Sequence, residues 1–359
     1  MKRFAFVTTN LTIGGAQTWL ANLSEMLIKK GHEVHVILFS SKIDIELDRD
    51  VEVHFLSSEK SFLGVRSKKI LASFWLTYLF RRFGPFDLTI STLPFADQIT
   101  SRAKIGNVYY RIANTLSQEI TDLGISKGKR RHKRYARLYH DKNVISVSNG
   151  VKEDLVENFN LKIKDITTIY NPIDQKKIIR LSNSYLPKYN EPYIIHSGRF
   201  SPQKRHDVLL DAFVCYLSKT DDNNPKKLIL LSEKSDKLDA MIKDRGLSKF
   251  VLNIGFQSNP FPWYRHASCL VLSSDREGMP NVLLESLTLG TPVASTDCPS
   301  GPSELLRNHY PKSLCPVGQP VALANSITEA LRSDFSDAAD LILKPFQPSS
   351  VIKRILNLC

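Results

Sequence analysis

The chain has 359 residues, of which 42% are hydrophobic and 24% are charged. These proportions are typical of a soluble globular protein, and the length suits two domains of about 150–200 residues each. No apolar run reaches the roughly 18 residues that a membrane-spanning helix needs, and the short apolar stretch after Met1 is typical of a first strand rather than of a signal peptide. We therefore expect the protein to reside in the cytoplasm.

Neither the cysteines nor the acidic residues form a pattern typical of metal ligands. The five cysteines are odd in number and lack Cys-x-x-Cys spacing, so they predict neither a disulfide framework nor a zinc site. Asp48 and Asp50 lie in a polar loop rather than at the end of a strand, and we interpret them as solvated. We expect no metal ion and no other cofactor.

Positive charge is concentrated in the first half of the chain. Residues 1–180 carry a net charge of +11, whereas residues 181–359 carry +2. Six of the eight residues from Lys127 to Arg134 are Lys or Arg. This surplus indicates an anionic partner, which is a membrane surface, a lipid-linked diphosphate or a nucleic acid. Since the chain lacks the aromatic platforms and readout motifs that accompany RNA binding, we expect no nucleic acid.

An apolar segment rich in aromatic residues lies between residues 61 and 86, with basic residues at both ends. It is too short to span a bilayer, but Trp75 and Tyr78 between basic ends suit a helix that lies at the level of lipid headgroups. A buried helix of the first domain with ordinary capping charges fits the same pattern. The sequence leaves both interpretations open.

Strands and helices alternate along both halves of the chain. Asn171-Pro172 breaks the chain after a strand, so we end the first domain at residue 172. A second domain then spans residues 173–345, and residues 346–359 contain a last amphipathic helix. Alternation with β-branched strands predicts a parallel, doubly wound sheet in each domain. Strands are predicted at residues 3–8, 32–39, 51–56, 87–93, 107–113 and 143–148, and again at 193–198, 227–232, 250–254, 269–272 and 292–295.

Two turns of the second domain carry residues suited to a phosphorylated ligand. Arg199 and Lys204 flank the turn after the strand that ends at Gly198, where a guanidinium and an ammonium can hold a diphosphate. A second turn, residues 277–279, precedes a helix that is predicted to begin at Pro280. Ligands bind outside the carboxyl ends of the strands in such sheets, and the Gly in this turn lets backbone N–H groups approach an anion.

Glu277 and Glu285 are eight residues apart, on this turn and on the helix after it. Two carboxylates facing one cleft suit the binding of neutral hydroxyl groups. The Glu-x7-Glu spacing resembles the signature of glycosyltransferase family 4, whose members are retaining enzymes of the GT-B fold. Gly198-Arg199-x4-Lys204 matches the family's site for the donor diphosphate, and Gly14-Gly15 matches its turn after the first strand. These motifs occur in the family's order, and the resemblance covers essentially the whole chain.

The resemblance implies two Rossmann-like domains that face a central cleft, with the acceptor bound by the first domain and the donor by the second. The last helix would cross back to the first domain. Glu277, Arg199 and Lys204 would be the catalytic residues, since they hold the transferred sugar and stabilise the charge on the leaving diphosphate. Glu285 would bind the ribose hydroxyls. The complete donor set is Gly198, Arg199, Lys204, Glu277, Gly278, Met279, Pro280, Asn281 and Glu285, and the acceptor or phosphate-loop set is Gly14, Gly15, Arg111 and Asn114.

The resulting hypothesis is a retaining, metal-independent transferase that moves a sugar from a nucleotide diphosphate sugar to an acceptor hydroxyl. A UDP-sugar is the expected donor. The loop at residues 299–304 is similar to that of family members that build bacterial surface polysaccharides, so we expect a lipid-linked saccharide acceptor in lipopolysaccharide or capsule synthesis. The basic first half predicts peripheral residence on the inner face of the cell membrane.

Two alternatives compete with this hypothesis. A nucleotide-sugar epimerase can share the GT-B architecture, although it needs no acceptor surface. A non-catalytic basic protein that binds membrane or nucleic acid through residues 127–137 would not depend on Glu277 or Arg199.

Overall fold

The computed structural model describes residues 1–12, 14–56, 65–220 and 225–359 of the chain. It divides into two compact units. Unit 1 comprises Met1–Pro172 and Pro348–Cys359, and unit 2 comprises Ile173–Gln347. The first segment of unit 1 therefore ends at Pro172, where the Asn171-Pro172 break predicts the end of the first domain. The last helix of the chain belongs to unit 1.

Unit 1 is built on one parallel sheet. Its strands are β1 (Arg3–Thr8), β2 (Glu33–Leu38), β3 (Glu52–Phe55), β4 (Leu88–Thr92), β5 (Val108–Ile112), β6 (Asn143–Ser146) and β7 (Asp165–Thr168). They follow the order β3-β2-β1-β4-β5-β6-β7, and every neighbouring pair is parallel. The order reverses beside β1, which is the arrangement of a doubly wound sheet. Helices cover both faces of such a sheet, so its strands are nearly continuous apolar runs.

The helices of unit 1 lie between these strands and at the end of the chain. They are α1 (Gly15–Lys29), α2 (Val65–Phe83), α3 (Pro94–Thr100), α4 (Leu116–Asp122), α5 (Ile125–Tyr139), α6 (Asn149–Glu153) and, at the end of the chain, α15 (Pro348–Leu356). A π-helical turn, Asp154–Asn158, follows α6.

Alternate residues of β1 pack into two different apolar clusters. Phe4 and Phe6 face the cluster that contains α1 and α15, where Ile355 is fully buried. Ala5 and Val7 face the opposite cluster, which contains α2 and α3. This alternation follows from the two-residue period of a strand, and it shows why the sheet is buried on both faces. The guanidinium of Arg354 in α15 also donates a 2.8 Å hydrogen bond to the carbonyl oxygen of Thr168.

Helix α2, which contains most of the aromatic segment, is buried along one side and exposed along the other. It buries Leu76 and Leu79 against the sheet of unit 1, but it leaves Phe74 and Trp75 69% and 49% exposed. Residues 61–64 of the predicted segment lie outside the described residues, as does Ile13. Among the helices that the structure describes, none is long and apolar enough to cross a bilayer.

Unit 2 repeats the architecture with a second parallel sheet. Its strands are β8 (Tyr193–Ser197), β9 (Lys227–Leu231), β10 (Val251–Asn253), β11 (Cys269–Leu272), β12 (Val293–Thr296) and β13 (Leu314–Cys315), in the order β10-β9-β8-β11-β12-β13. Its helices are α7 (Gln175–Ser182), α8 (His206–Lys219), α9 (Asp236–Asp244), α10 (Phe261–His266), α11 (Asn281–Thr288), α12 (Pro302–Leu306), α13 (Pro320–Arg332) and α14 (Ser336–Leu343). The prediction of doubly wound parallel sheets is confirmed. Strand β13 was not predicted, because its two residues are too few to form an apolar pattern.

Candidate active site

Both donor turns of unit 2 lie at the same edge of its sheet. Strands β8 and β11 are parallel neighbours, so the turns that follow them begin side by side. The backbone N–H of Asp275 donates to the carbonyl oxygen of Gln203 at 2.9 Å, and the Gln203 side-chain amide donates to that of Arg276 at 2.7 Å. The Ser273 hydroxyl donates to the Lys204 carbonyl oxygen, also at 2.7 Å. These bonds fix the two turns relative to each other.

A charged pair connects the catalytic candidates. The Nζ atom of Lys204 lies 2.7 Å from Oε1 of Glu277, and the two side chains are only 17% and 10% exposed. An ion pair that is shielded from water holds its geometry better than one on the surface. The ammonium group has three N–H donors, so Lys204 can still direct donors at an anionic ligand while it contacts Glu277.

Arg199 and Gly198 form the beginning of the first turn. Within the described part of the chain, Arg199 is exposed and has neither an ion pair nor a side-chain hydrogen bond, so its guanidinium is available to a ligand. Gly198 lies under the Lys204 side chain. A Cβ atom at Gly198 would be 3.4 Å from Cδ of Lys204 and 3.3 Å from Nε2 of His196, which is tighter than ordinary contact.

Two buried histidines support this first turn from below. His196 has its Nδ1 atom 2.9 Å from the Val271 carbonyl oxygen, whereas its Nε2 atom has no hydrogen-bond partner among the residues that the structure describes. His206 contacts the Ser232 hydroxyl at 3.0 Å, and that hydroxyl donates to the Gly198 carbonyl oxygen at 2.7 Å. Burial lowers the pKa of His196 well below its ordinary value and that of His206 to about 4, so both rings are neutral at pH 7.

The second turn packs against the loop at residues 299–304, which was not predicted to belong to the site. Gly301 has a φ of +90°, and a Cβ atom there would lie 2.5 Å from Cδ of Pro280. The Ser300 hydroxyl donates to the Glu277 carbonyl oxygen at 2.7 Å. Met279 is 7% exposed, and helix α11 begins at Asn281, one residue later than the predicted start at Pro280. The Pro-Ser-Gly-Pro run was the available signal, because a glycine between prolines marks a rigid turn.

Glu285 lies in the second turn of α11 and is partly buried. It forms no hydrogen bond or ion pair with the residues that the structure describes, and burial raises its pKa to about 7. Burial raises the pKa of the Tyr264 phenol, and the charge of the nearby Glu285 raises it further. The Tyr264 hydroxyl donates to Ser197 Oγ at 2.7 Å. Sequence reasoning missed Tyr264 and Ser197, since nothing in their local sequence distinguishes them from core residues.

The acceptor candidates belong to unit 1. Gly14 precedes α1 in an extended conformation, and Gly15 is the first residue of that helix, with open space around its Cα. Asn114 is half-buried, and its Oδ1 atom accepts a 3.0 Å hydrogen bond from the Thr115 backbone N–H.

Arg111, the remaining acceptor candidate, is a buried residue of the unit 1 sheet. It lies within β5 and is 3% exposed, with its guanidinium 4.0 Å from the centre of the Trp19 ring. Its Nη2 atom donates to Asn171 Oδ1 at 2.7 Å, whereas Nε and Nη1 have no hydrogen-bond partner within the described part of the chain. Burial lowers its pKa to about 9. Because the side chain is enclosed in unit 1, it cannot contact an acceptor without a local rearrangement.

Comparison with known proteins gives two family matches that meet near the division between the units. The Glycosyltransferase Family 4 model matches residues 13–177, and the Glycosyl transferases group 1 model matches residues 177–342.

Individual relatives extend this result. A Campylobacter jejuni enzyme, N-acetylgalactosamine-N,N'-diacetylbacillosaminyl-diphospho-undecaprenol 4-alpha-N-acetylgalactosaminyltransferase, is 29% identical over 324 residues, which are 85% of this chain and 83% of that protein. The lipopolysaccharide 1,6-galactosyltransferase of Salmonella typhimurium is 30% identical over 187 residues, 49% of each chain. The crystal structure of Anabaena HepE in complex with UDP-glucose has a TM-score of 0.75 at 17% identity and covers 99% of both chains. The chain therefore belongs to the glycosyltransferases of the family 4 type and has the GT-B fold.

Proposed function

We propose that this glycosyltransferase is a retaining, metal-independent enzyme that transfers a sugar from a UDP-sugar to a hydroxyl of a lipid-linked or surface-polysaccharide acceptor. The observation that carries the proposal is the 2.7 Å bond between Lys204 and Glu277, which brings a cation and a carboxylate together at the edge of the unit 2 sheet. The expected donor has two parts that match them, a diphosphate and a sugar rich in hydroxyls.

The chemistry follows from the charge that develops as the bond from the sugar to the diphosphate breaks. Negative charge accumulates on the leaving diphosphate, and cations that are already in position stabilise it without reorganisation. Arg199 provides a planar pair of N–H donors, and Lys204 provides a point charge. Glu277 accepts hydrogen bonds from the sugar hydroxyls and holds the ring against the diphosphate.

The nucleotide end of the donor is assigned to Glu285. Its carboxylate is without a partner among the described residues, and it lies beside Tyr264 below the end of β8. A carboxylate in a partly buried position binds a pair of ribose hydroxyls strongly, because it has no competing contact. The UDP-glucose complex of HepE, which shares the fold, supports a uridine nucleotide as the donor base.

The acceptor assignment rests on charge and on the relatives. The Campylobacter relative is named for a diphospho-undecaprenol acceptor and the Salmonella relative for lipopolysaccharide. Helix α5 of this chain is basic over most of its length and buries Tyr135, Leu138 and Tyr139. Its exposed cations are Lys127, Lys129, Arg130, Lys133, Arg134 and Arg137.

Helix α2 lies close to this basic surface at Lys69. Arg134 of α5 and Arg102, after α3, lie close enough to Lys69 of α2 to lower its pKa, in addition to the larger effect of burial. Exposed Phe74 and Trp75 are thus on the same unit as a dense basic surface, a combination typical of peripheral binding to acidic headgroups. We assign this surface to the inner face of the cell membrane, where a lipid-linked acceptor is available.

Calorimetry with UDP, GDP and ADP in the presence of EDTA tests the donor site. We expect UDP to bind, and we expect Arg199→Ala and Glu285→Ala to weaken binding strongly. Arg180→Ala and Glu329→Ala are matched controls, since Arg180 is exposed on α7 and Glu329 is partly buried on α13 of the same unit. Binding that requires a divalent ion, or that all four variants reduce equally, would contradict the proposal. The anomeric configuration of the product, determined by NMR, then tests retention.

A further inference from the structure

Two neighbouring strands of unit 1 carry the same tripeptide. β2 begins with Glu33-Val34-His35, and β3 begins with Glu52-Val53-His54. The strands are parallel, with His35 opposite Glu52 and Ile37 opposite His54. Because side chains alternate along a strand, both glutamates and both histidines project from one face of the sheet. We call these four residues the Glu-His quartet.

The quartet lies at the amino ends of its strands. Ligands of doubly wound sheets bind outside the carboxyl ends, where β1 leads into the Gly14-Gly15 turn. The quartet is therefore separate from the acceptor candidates at the turn, and its polar groups are not explained by the transfer reaction.

Three atoms of the quartet are as close together as the ligands of one metal ion. His35 Nδ1 lies 2.9 Å from His54 Nε2 and 3.5 Å from Glu52 Oε2, and the last two atoms are 3.8 Å apart. Atoms bound to one tetrahedral zinc ion are separated by about 3.3 Å, since each lies about 2.0–2.1 Å from the metal. Small rotations of the two rings and of the exposed Glu52 side chain would change the observed distances into those of zinc ligands.

Glu33 fixes the tautomer that a metal requires. His35 Nε2 is 2.7 Å from Glu33 Oε1, and Arg3 holds the same carboxylate through bonds of 2.6 and 2.9 Å. Because this carboxylate is paired with the Arg3 guanidinium, it acts as the acceptor for the Nε2 proton of His35. The Nδ1 lone pair then points at His54 and Glu52. A carboxylate behind a histidine in this way is the usual support of a metal ligand.

The two imidazole rings lie in largely apolar surroundings. His35 is 1% exposed and His54 is 14% exposed. Phe86 lies 4.8 Å from the His35 ring centre, and Phe83 lies 4.6 Å from that of His54. An apolar shell of this kind excludes competing water, and the uncharged ring is the form that binds metals.

We propose that His35 Nδ1, His54 Nε2 and Glu52 Oε2 bind a divalent transition metal ion, which replaces the proton shared between the two imidazoles. Two nitrogens and one carboxylate oxygen suit zinc, with a fourth position open to water. When the ion binds, that proton moves from Nε2 to Nδ1 of His54, so each ring keeps one N–H. The ion would tie β3, the strand at the edge of the sheet, to β2, and this role is independent of the proposed transfer reaction.

Calorimetry with zinc chloride on the full, chelator-treated chain without an affinity tag tests the site. We expect one zinc ion per chain, and visible absorption bands of tetrahedral cobalt when Co²⁺ replaces zinc. Glu33→Gln should weaken binding about 10–100-fold, as is typical of a residue that supports a ligand. His54→Gln should weaken it further, and His266→Gln, at an exposed histidine of α10, should not change it.

Two results would overturn the proposal. One is the absence of stoichiometric zinc binding to the unmodified chain. The other is binding that His54→Gln and His266→Gln affect equally, since the ion would then lie elsewhere. If His54→Gln fails to fold, Glu52→Gln takes its place in the comparison with His266→Gln. The Glu52 side chain is 54% exposed, so its replacement leaves the core intact. Donor binding in EDTA is measured separately, so failure of the zinc site and failure of the proposed function remain distinguishable.

Discussion

The Nζ atom of Lys204 and the Oε1 atom of Glu277 are 2.7 Å apart, although the two residues are separated by 73 positions in the chain. The parallel pairing of β8 with β11 brings them together, because both strands end at the same edge of the sheet. The two sequence motifs that resemble the family are thus parts of one arrangement. The consequences of disturbing it can be predicted for single residues.

Glu277→Gln should abolish most of the turnover while it leaves the fold intact. The amide preserves the shape of the side chain but removes the charge that holds Lys204 and the sugar hydroxyls. Loss of one preorganised polar group in an active site typically costs about 10²–10³ in kcat. Glu329→Gln on α13 is the matched control and should retain full turnover. An active Glu277→Gln enzyme with an unchanged kcat would remove Glu277 from the catalytic set.

Gly301→Ala should damage the donor site more than an equivalent change elsewhere. The new Cβ atom would lie 2.5 Å from Pro280, so the turn at residues 278–280 must shift. Gly246→Ala is a precise comparison, since Gly246 also has a positive φ, +69°, but its Cβ would have open space. Both variants carry backbone strain of order 1–3 kcal/mol, to be measured by urea unfolding. Only Gly301→Ala should also weaken UDP binding, and equal UDP affinity in the two variants would contradict the supporting role of Gly301.

UDP affinity should fall as the pH is lowered through 7. Burial raises the pKa of Glu285 from its ordinary 4.5 to about 7, so in the free protein the carboxyl is protonated below that pH. Ribose hydroxyls that donate to the carboxylate favour its ionised form, and binding at low pH must therefore release a proton. The affinity should decrease by up to about tenfold per pH unit below 7.

Glu285→Gln provides the baseline for this pH experiment, because it keeps the shape of the side chain but cannot titrate. Calorimetry at several values between pH 5.5 and 8.5 should give a steeper dependence for the unmodified protein than for the variant. Parallel curves would show that Glu285 does not contact the nucleotide.

Removal of positive charge from α5 should weaken binding to acidic membranes. Arg130→Glu and Lys133→Glu change exposed residues, and each cation near an acidic surface contributes about 1 kcal/mol. Flotation with vesicles that contain phosphatidylserine should show the loss at low salt, and added salt should weaken the unmodified protein in the same direction. Lys243→Glu, on α9 of unit 2, is the control for net charge. If all three variants float alike, the basic surface of α5 has no special affinity for lipid.

The sequence by itself determined the elements of both sheets and the two donor turns. Apolar β-branched runs between helical segments are local signals, so strands such as β1 and β8 were predicted within a residue or two of their limits. The same is true of the turns at Gly198 and Gly278, because glycine permits backbone conformations that other residues avoid and proline fixes φ. Local pattern gave no range for β7, whose four residues are mostly polar, or for β13, which has only two residues.

Tertiary structure decided which side chains meet. The support of Pro280 by Gly301, the proximity of Tyr264 to Glu285 and the enclosure of Arg111 against Trp19 each join residues from separate elements. The Glu-His quartet shows the same distinction, since each Glu-Val-His tripeptide is visible in the sequence but its partner depends on the pairing of β2 with β3. Periodicity and turn propensity act over a few neighbouring residues. Contacts across a sheet depend on strand order and register, which the packing of the whole unit fixes.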